Sequence, residues 1–405
     1  MPTEWTIALR FLREGRMQTL LIIAGVTVGV GVVLFITALV QGLQTSLVNR
    51  TLGTQAHIVV FPPEEVARPA LDRDTNAVAA RVEPRAQRLR SIDQWESLLG
   101  TIAAAPGVIA VSPMVSGPAF ASRGTASKSV AILGVDPERY LRIVHIDEDL
   151  LAGRFLVTGT SGAIGFELAK DLGVTVGDKI RLSTPLGRED VITVTGTFDV
   201  GVKELNRRWV FTTMKLAQTL LDLPGGVTNI DLTVSEIFAA DKTAQVIADA
   251  TGLRAESWMQ TNAQLLAAFR NQNVSTLTIR TFVTLIVALG IASVLVVSVV
   301  QKQKEIGILR AMGASRGAIL RVFLLQGALV ALAGSVLGSA LAVAMVETFA
   351  KLFKNADGSP IFAPEMDWKL IVSTWVIALL TGVLAAMLPA RRAAKLDPVA
   401  AIRYG

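Results

Sequence analysis

Four long apolar runs set the plan of the chain. Residues 18–41, 279–300, 319–346 and 370–388 contain no aspartate or glutamate. Each has about the 20 residues that a helix needs to cross the roughly 30 Å core of a bilayer. The link 301–318 carries Lys302, Lys304, Arg310 and Arg316 against one acid, Glu305. Short basic loops stay in the cytoplasm, so this link is predicted inside. The basic tail 389–405 is predicted inside too, whereas the charges of 347–369 nearly cancel, as expected outside. Four spans then leave both termini in the cytoplasm and put residues 42–278 on the outer side.

Residues 1–17 read as an interfacial helix. Trp5, Ala8, Leu9 and Leu12 make an apolar face, and Arg10, Arg13 and Arg16 a basic one, the pattern of a helix lying in the membrane surface. A cleaved signal peptide has an apolar core of about 7–15 residues and a small-residue cleavage site. The run 18–41 is longer and no A-x-A follows it, so it reads as a retained span. Gly25 and Gly29 are spaced as GxxxG, which permits close helix packing. Glycine is also common in membrane helices generally, so both readings of this pair stand.

Between the first and second spans the pattern changes to short strand-like runs at 108–112, 129–135, 179–183, 191–197, 209–212 and 230–234. Helical patterns lie between them at 92–105, 165–172, 214–221 and 239–251, and Thr184–Arg188 reads as a hairpin turn. Residues 68–90, with Pro69 and Pro84, read as a long loop. From Trp258 a helical pattern runs to Arg280 and into the second span. The fold class is an α-helical membrane protein with four transmembrane helices and a large α/β extracytoplasmic domain inserted between the first and second.

Composition narrows the chemistry. The net charge of +6 gathers beside the spans, where orientation and anionic lipid account for it. No basic run with interleaved aromatics points to nucleic acid. With no cysteine there is no disulfide or thiolate site. His57 and His145 have no acids at ligand spacing, so no metal site is expected. Neither a G-x-x-x-x-G-K-[ST] phosphate loop nor a G-x-S-x-G nucleophile elbow occurs, and no cofactor or catalytic residue is assigned. The spans carry no acid for an ion relay.

The link itself looks built. Residues 305–312 hold no helix breaker except Gly307, and Ile306, Leu309 and Met312 recur every third position. Gly313 can end this short helix in a left-handed conformation, and Ser315 can cap the next.

KEIGILRAMGAS after the second span, PARRAAKLDPVAAIR after the fourth and WTIALRFLR before the first resemble the permease subunits of type VII ABC systems, the group of MacB, FtsX and the lipoprotein-releasing LolC/LolE. The resemblance covers nearly the whole chain. It implies a bacterial inner-membrane permease pair, of two copies or two related chains, bound to a dimer of separate ABC ATPase subunits that hold ATP and magnesium. This chain would not itself be an enzyme. By that likeness Glu305, Ile306, Gly307, Leu309, Arg310, Met312, Gly313 and Ser315 form a coupling helix. Glu305 and Arg310 would make polar contacts to the ATPase, and Ile306, Leu309 and Met312 would fill its cleft. DLGVTVGDKIRLSTPLGREDVITVTGTFDVG and TMKLAQTLLDL are similar to LolC/LolE, although 183–190 is too short for the hook with which LolC captures a periplasmic carrier. The implied work is mechanotransmission to a lipophilic or lipid-anchored cargo. The alternatives are an FtsX-like regulator of a cell-wall hydrolase and a MacB-like drug or peptide exporter with a periplasmic adaptor.

Overall fold

The computed structural model describes residues 2–63, 89–354 and 366–397. The loop expected at 68–90 lies outside these residues except for its last two, as do the middle of the outer loop and the end of the tail. In chain order the helices are α1 (Pro2–Glu14), α2 (Arg16–Gly53), α3 (Trp95–Ala103), α4 (Pro137–Tyr140), α5 (Phe166–Leu172), α6 (Lys203–Arg208), α7 (Met214–Leu221), α8 (Ala240–Thr251), α9 (Trp258–Thr261), α10 (Ala263–Gln301), α11 (Gln303–Ala311), α12 (Arg316–Leu352) and α13 (Trp368–Ala394). The strands are β1 (Ile58–Phe61), β2 (Val108–Arg123), β3 (Ala126–Val135), β4 (Leu150–Gly153), β5 (Ser161–Gly165), β6 (Lys179–Ser183), β7 (Glu189–Phe198), β8 (Trp209–Thr213), β9 (Asn229–Val234) and β10 (Arg254–Ser257). The chain forms two compact units, residues 1–48 with 267–405, and residues 49–266.

The first unit is helical. Helices α2, α10, α12 and α13 have 38, 39, 37 and 27 residues and are each long and apolar enough to cross a membrane. Glycines on α12 let its neighbours come close. A Cβ on Gly334 would lie 2.5 Å from Val26 Cγ1, one on Gly338 2.8 Å from Val30 Cβ, and one on Gly327 2.6 Å from the Gly382 oxygen. The GxxxG spacing that brings two helices together here is therefore Gly334–Gly338, packed on α2. The expected pair divides. A Cβ on Gly29 would lie 2.6 Å from Val287 of α10, whereas Gly25 has nothing within 4 Å. A polar link joins α13 to α12, Trp375 Nε1 donating to Ser339 Oγ at 2.8 Å.

Helix α1 also divides its predicted face. Ala8 and Phe11 are buried among α12 residues such as Phe323, while Trp5 and Leu9 stay half exposed. The stretch from Trp258 is not one rod. Asn262, with φ −105° and ψ 33°, separates α9 from α10, and its Nδ2 donates to the Trp258 oxygen.

The second unit is one mixed sheet in the order β10-β1-β9-β2-β3-β8-β5-β7-β4, with β6 bridging β2 and β7. Most neighbours are antiparallel, and β3–β8 and β5–β7 are parallel. Phe211 anchors the core, with Tyr140, Phe155, Phe198 and Trp209 around it at ring separations of 5.4–5.8 Å. Each run expected to be a strand is one. Strand β2, however, continues to Arg123 past Pro113 and Pro118, in register with β9 and then β3. Each proline removes one donor without stopping the ladder. The helix expected over 92–105 is shorter, because Ile92 bridges to Val227 instead.

The hairpin between β6 and β7 is closed by Thr184 N–H donating to the Arg188 oxygen at 2.9 Å, with Gly187 at φ +78°. It is also strapped down. Arg188 donates to the Thr219 oxygen at 2.9 Å and to Asp222 at 2.6 Å, and Thr184 Oγ1 to the Leu220 oxygen at 3.1 Å.

His57 and Asp231 are both structural here. His57 Nδ1 accepts the Val234 N–H at 3.1 Å, and burial lowers its pKa. Asp231 is buried on β9 and accepts one bond from Asn229 Nδ2 at 2.6 Å; burial, partly opposed by that bond, pushes its pKa up to about 7 from 3.8. The unfolded chain therefore holds fewer protons between these values, and the domain loses stability as pH rises through that window. Asp231→Asn is expected to flatten the slope and to stabilise the full chain above pH 7 by a few kcal/mol, on the order of the shift converted at about 1.4 kcal/mol per unit. Melting temperature against pH in detergent checks it, and identical profiles for the two proteins would contradict it.

Candidate functional site

The region of interest is α11 with its two junctions, all within the helical unit. Lys302 forms the first junction. Its Nζ donates to Glu305 Oε1 at 2.8 Å, pairs with Glu14 at the end of α1, and sits 5.5 Å over the Phe11 ring. Partial burial works against the Lys302 charge, but the bonds to Glu14 and Glu305 outweigh it and raise its pKa. The lysine therefore stays charged and ties α1 to the start of α11. Arg321, one turn into α12, pairs with Glu4 at 3.1 Å.

The second junction is a tight reversal. The Ala314 N–H donates to the Leu309 oxygen at 3.0 Å and the Gly313 N–H to the Arg310 oxygen at 3.1 Å, with Gly313 at φ +98°. This Schellman geometry needs a residue at positive φ, and glycine adopts it at least cost. Ser315 then caps α12, its Oγ accepting the Ala318 N–H at 3.1 Å.

Helix α11 has two distinct faces. Ile306 is 0 % exposed and packs in the same cluster as Ala8, Ile319, Phe323 and Ala393, with Gly307 buried beside it. Leu309 is partly buried against that cluster. Arg310 Nη1 donates to the Ala394 and Leu396 oxygens at 2.9 and 2.8 Å. These carbonyls close α13, so the guanidinium also sits at the negative end of that helix. The opposite face stands free. Ile308 is 45 % and Met312 72 % exposed, and Lys304 and Ala311 are exposed beside them.

The expected contact set is therefore rearranged. Ile306 and Arg310 are engaged with this chain's own helices. Glu305 pairs with Lys302. Met312, Gly313 and Ser315 remain on the surface. The three-residue spacing of Ile306, Leu309 and Met312 suggests one face and leaves Ile308 out of it. At about 100° per residue, Ile308 and Met312 form the tighter i,i+4 pair.

Two family models match in tandem over this architecture, the MacB-like periplasmic core domain at residues 19–250 and the FtsX-like permease C-terminal at residues 277–398. The chain belongs to the type VII ABC permeases. The permease is 25 % identical to the lipoprotein-releasing system transmembrane protein LolC of Neisseria meningitidis, over 99 % of each chain. It is 24 % identical to the ABC transporter permease YknZ of Bacillus subtilis, over 98 % of each chain. The macrolide export ATP-binding/permease protein MacB of a Shewanella species is 26 % identical over 98 % of the permease but 60 % of its own length. The FtsX-like match covers α11 and both its junctions.

Proposed function

We propose that the permease converts ATP hydrolysis in a separate ATPase subunit into release of a lipid-anchored cargo at the outer face of the bacterial inner membrane. The observation that carries this reading is the two-faced α11. An apolar ridge with a lysine beside it is the form in which a helix enters a partner's groove. Rooting of the opposite face in the bundle lets a push on the ridge move helices rather than bend a loop. Lys302 would pass that movement to α1, and Arg310 would pass it to α13.

The basic link and tail support a cytoplasmic position for α11 and both termini. ATP and magnesium belong to the ATPase in this account. Gly25 supports pairing with a second permease, of the same or a related chain. It lies on α2 along an exposed stripe with Met17, Leu21 and Val28, and a Cβ placed on it would meet nothing within 4 Å in its own bundle. The lipoprotein-releasing names of several full-length relatives support the cargo class. The strapped 184–188 hairpin argues against carrier capture at that place.

Co-reconstitution of the permease with its ATPase in vesicles bearing a diacylated reporter protein tests the reading. ATP is expected to move the reporter into the soluble fraction. ATP turnover with the reporter left in the membrane would count against release and favour a regulatory role.

A further inference from the structure

A second feature of the helical unit involves neither α11 nor the outer domain. A groove of about 430 Å³, counting its open mouth, runs between α2, α10 and α13. Gly29, Val33, Val287, Ile377, Ala378 and Thr381 are among the residues that line it, and Arg280 joins the lining from α10. Its hydroxyls are already used within their own helices. Thr284 Oγ1 donates to the Arg280 oxygen at 2.7 Å, Thr374 Oγ1 to the Leu370 oxygen at 2.8 Å and Thr381 Oγ1 to the Ile377 oxygen at 2.8 Å. The walls are thus apolar in effect, and Arg280 is the one charge on them.

The height of Arg280 follows from the helix. Gln301 at the other end of α10 bonds Gln18 at 3.1 Å, next to the basic link. Twenty-one residues at 1.5 Å each put Arg280 about 30 Å away, at the far boundary of the hydrocarbon core. Arginines near span ends commonly reach toward headgroups. Arg280 differs in that an apolar groove opens beside it. It is half-buried, and among the described residues it has no acid or carbonyl partner.

We infer that this groove holds one glycerophospholipid, with an acyl chain between α2, α10 and α13 and the phosphate on Arg280. The charge decides between lipids. A guanidinium offers a planar fork that matches two phosphate oxygens. A diacylglyceryl anchor has a similar tail but no anion, and would leave the arginine unanswered. The site is therefore one for a membrane phospholipid, and it stands whether or not the cargo reading does.

Native mass spectrometry of the full permease–ATPase complex in mild detergent tests the site, with phosphatidylglycerol, diacylglycerol and inorganic phosphate as probes. The wild type is expected to retain one phosphatidylglycerol per permease chain. Arg280→Ala should weaken retention about ten- to a hundredfold, the range for losing a charge-assisted bond to phosphate. Ala378→Phe, which fills the groove and leaves Arg280 in place, should also release the lipid, and Arg280→Lys should keep part of it. Should Arg280→Ala fail to assemble, the lysine and phenylalanine variants decide. The inference is overturned if the wild type retains no phospholipid or if the variants retain as much as the wild type. Diacylglycerol binding equally well, or inorganic phosphate alone displacing the lipid, would overturn it too.

Discussion

Aspartate at both Ile308 and Met312 is expected to leave the permease folded and inserted while cutting ATP-driven release at least a hundredfold. Both side chains are substantially exposed in the free chain, at 45 % and 72 %. Surface changes of this kind typically alter stability by about 0.5 kcal/mol or less. In an apolar cleft of the ATPase the same carboxylates would be buried without partners, at a cost of roughly several kcal/mol. A loss of that size corresponds to two or three powers of ten in affinity, at about 1.4 kcal/mol each. Retention of the ATPase on the tagged permease and reporter release are the two readouts. Ile306→Asp is the contrasting case. That position is 0 % exposed in the bundle, so the variant should fail at assembly, before any question of coupling arises. Normal release in the double variant would show that the ridge is not the docking face.

Arg310→Met is expected to separate ATP turnover from work. Arg310 holds two carbonyls at the end of α13, those of Ala394 and Leu396. Methionine keeps the bulk of the stem and removes both bonds, and roughly 3 kcal/mol of local stability should go with them. The exposed ridge is untouched, so the ATPase should still bind and hydrolyse. Movement of α11 would no longer reach α13, and release per ATP should fall about tenfold or more. Lysine at this position keeps the charge but not the fork, so Arg310→Lys should lie between the two. Hydrogen exchange over residues 389–397 supplies an independent readout. Those amides should open faster in the methionine variant, and unchanged exchange with unchanged coupling would contradict this role of Arg310.

The spans were legible because length and apolarity alone decide them, and a residue or two at each end matters little. Strands such as β3 and β9 were legible from their β-branched residues. Those that escaped were short, like β1 and β10, or glycine-bearing, like β5. The sequence pattern assigns no element to Gly162 and puts Gly165 at the start of the helix over 165–172. Their Cβ atoms would lie 2.2 and 2.0 Å from the Phe211 and Asn206 oxygens, so glycine there serves close backbone approach, which leaves no mark on local pattern. The end of α11 and the start of α12 could be placed from Gly313 and Ser315, since a left-handed glycine and a capping serine act locally. Its orientation could not. Which of Ile306 and Ile308 turns inward depends on α1, α12 and α13, and Glu14 lies 288 residues from Lys302 in sequence. The same holds for Arg310. A basic residue in a basic link looks like part of a solvated surface until the carbonyls of α13 are brought beside it.

In the proposed mechanism the ridge of α11, and not its Ile306 face, meets the ATPase. A cysteine scan from Lys304 to Met312 in the assembled complex, read by short-reach crosslinking to the ATPase, tests it most directly. Adducts are expected at 304, 308, 311 and 312 and none at 306, 307 or 310. Adducts centred on 306 and 310, or none anywhere along the helix while the ATPase stays bound, would contradict it.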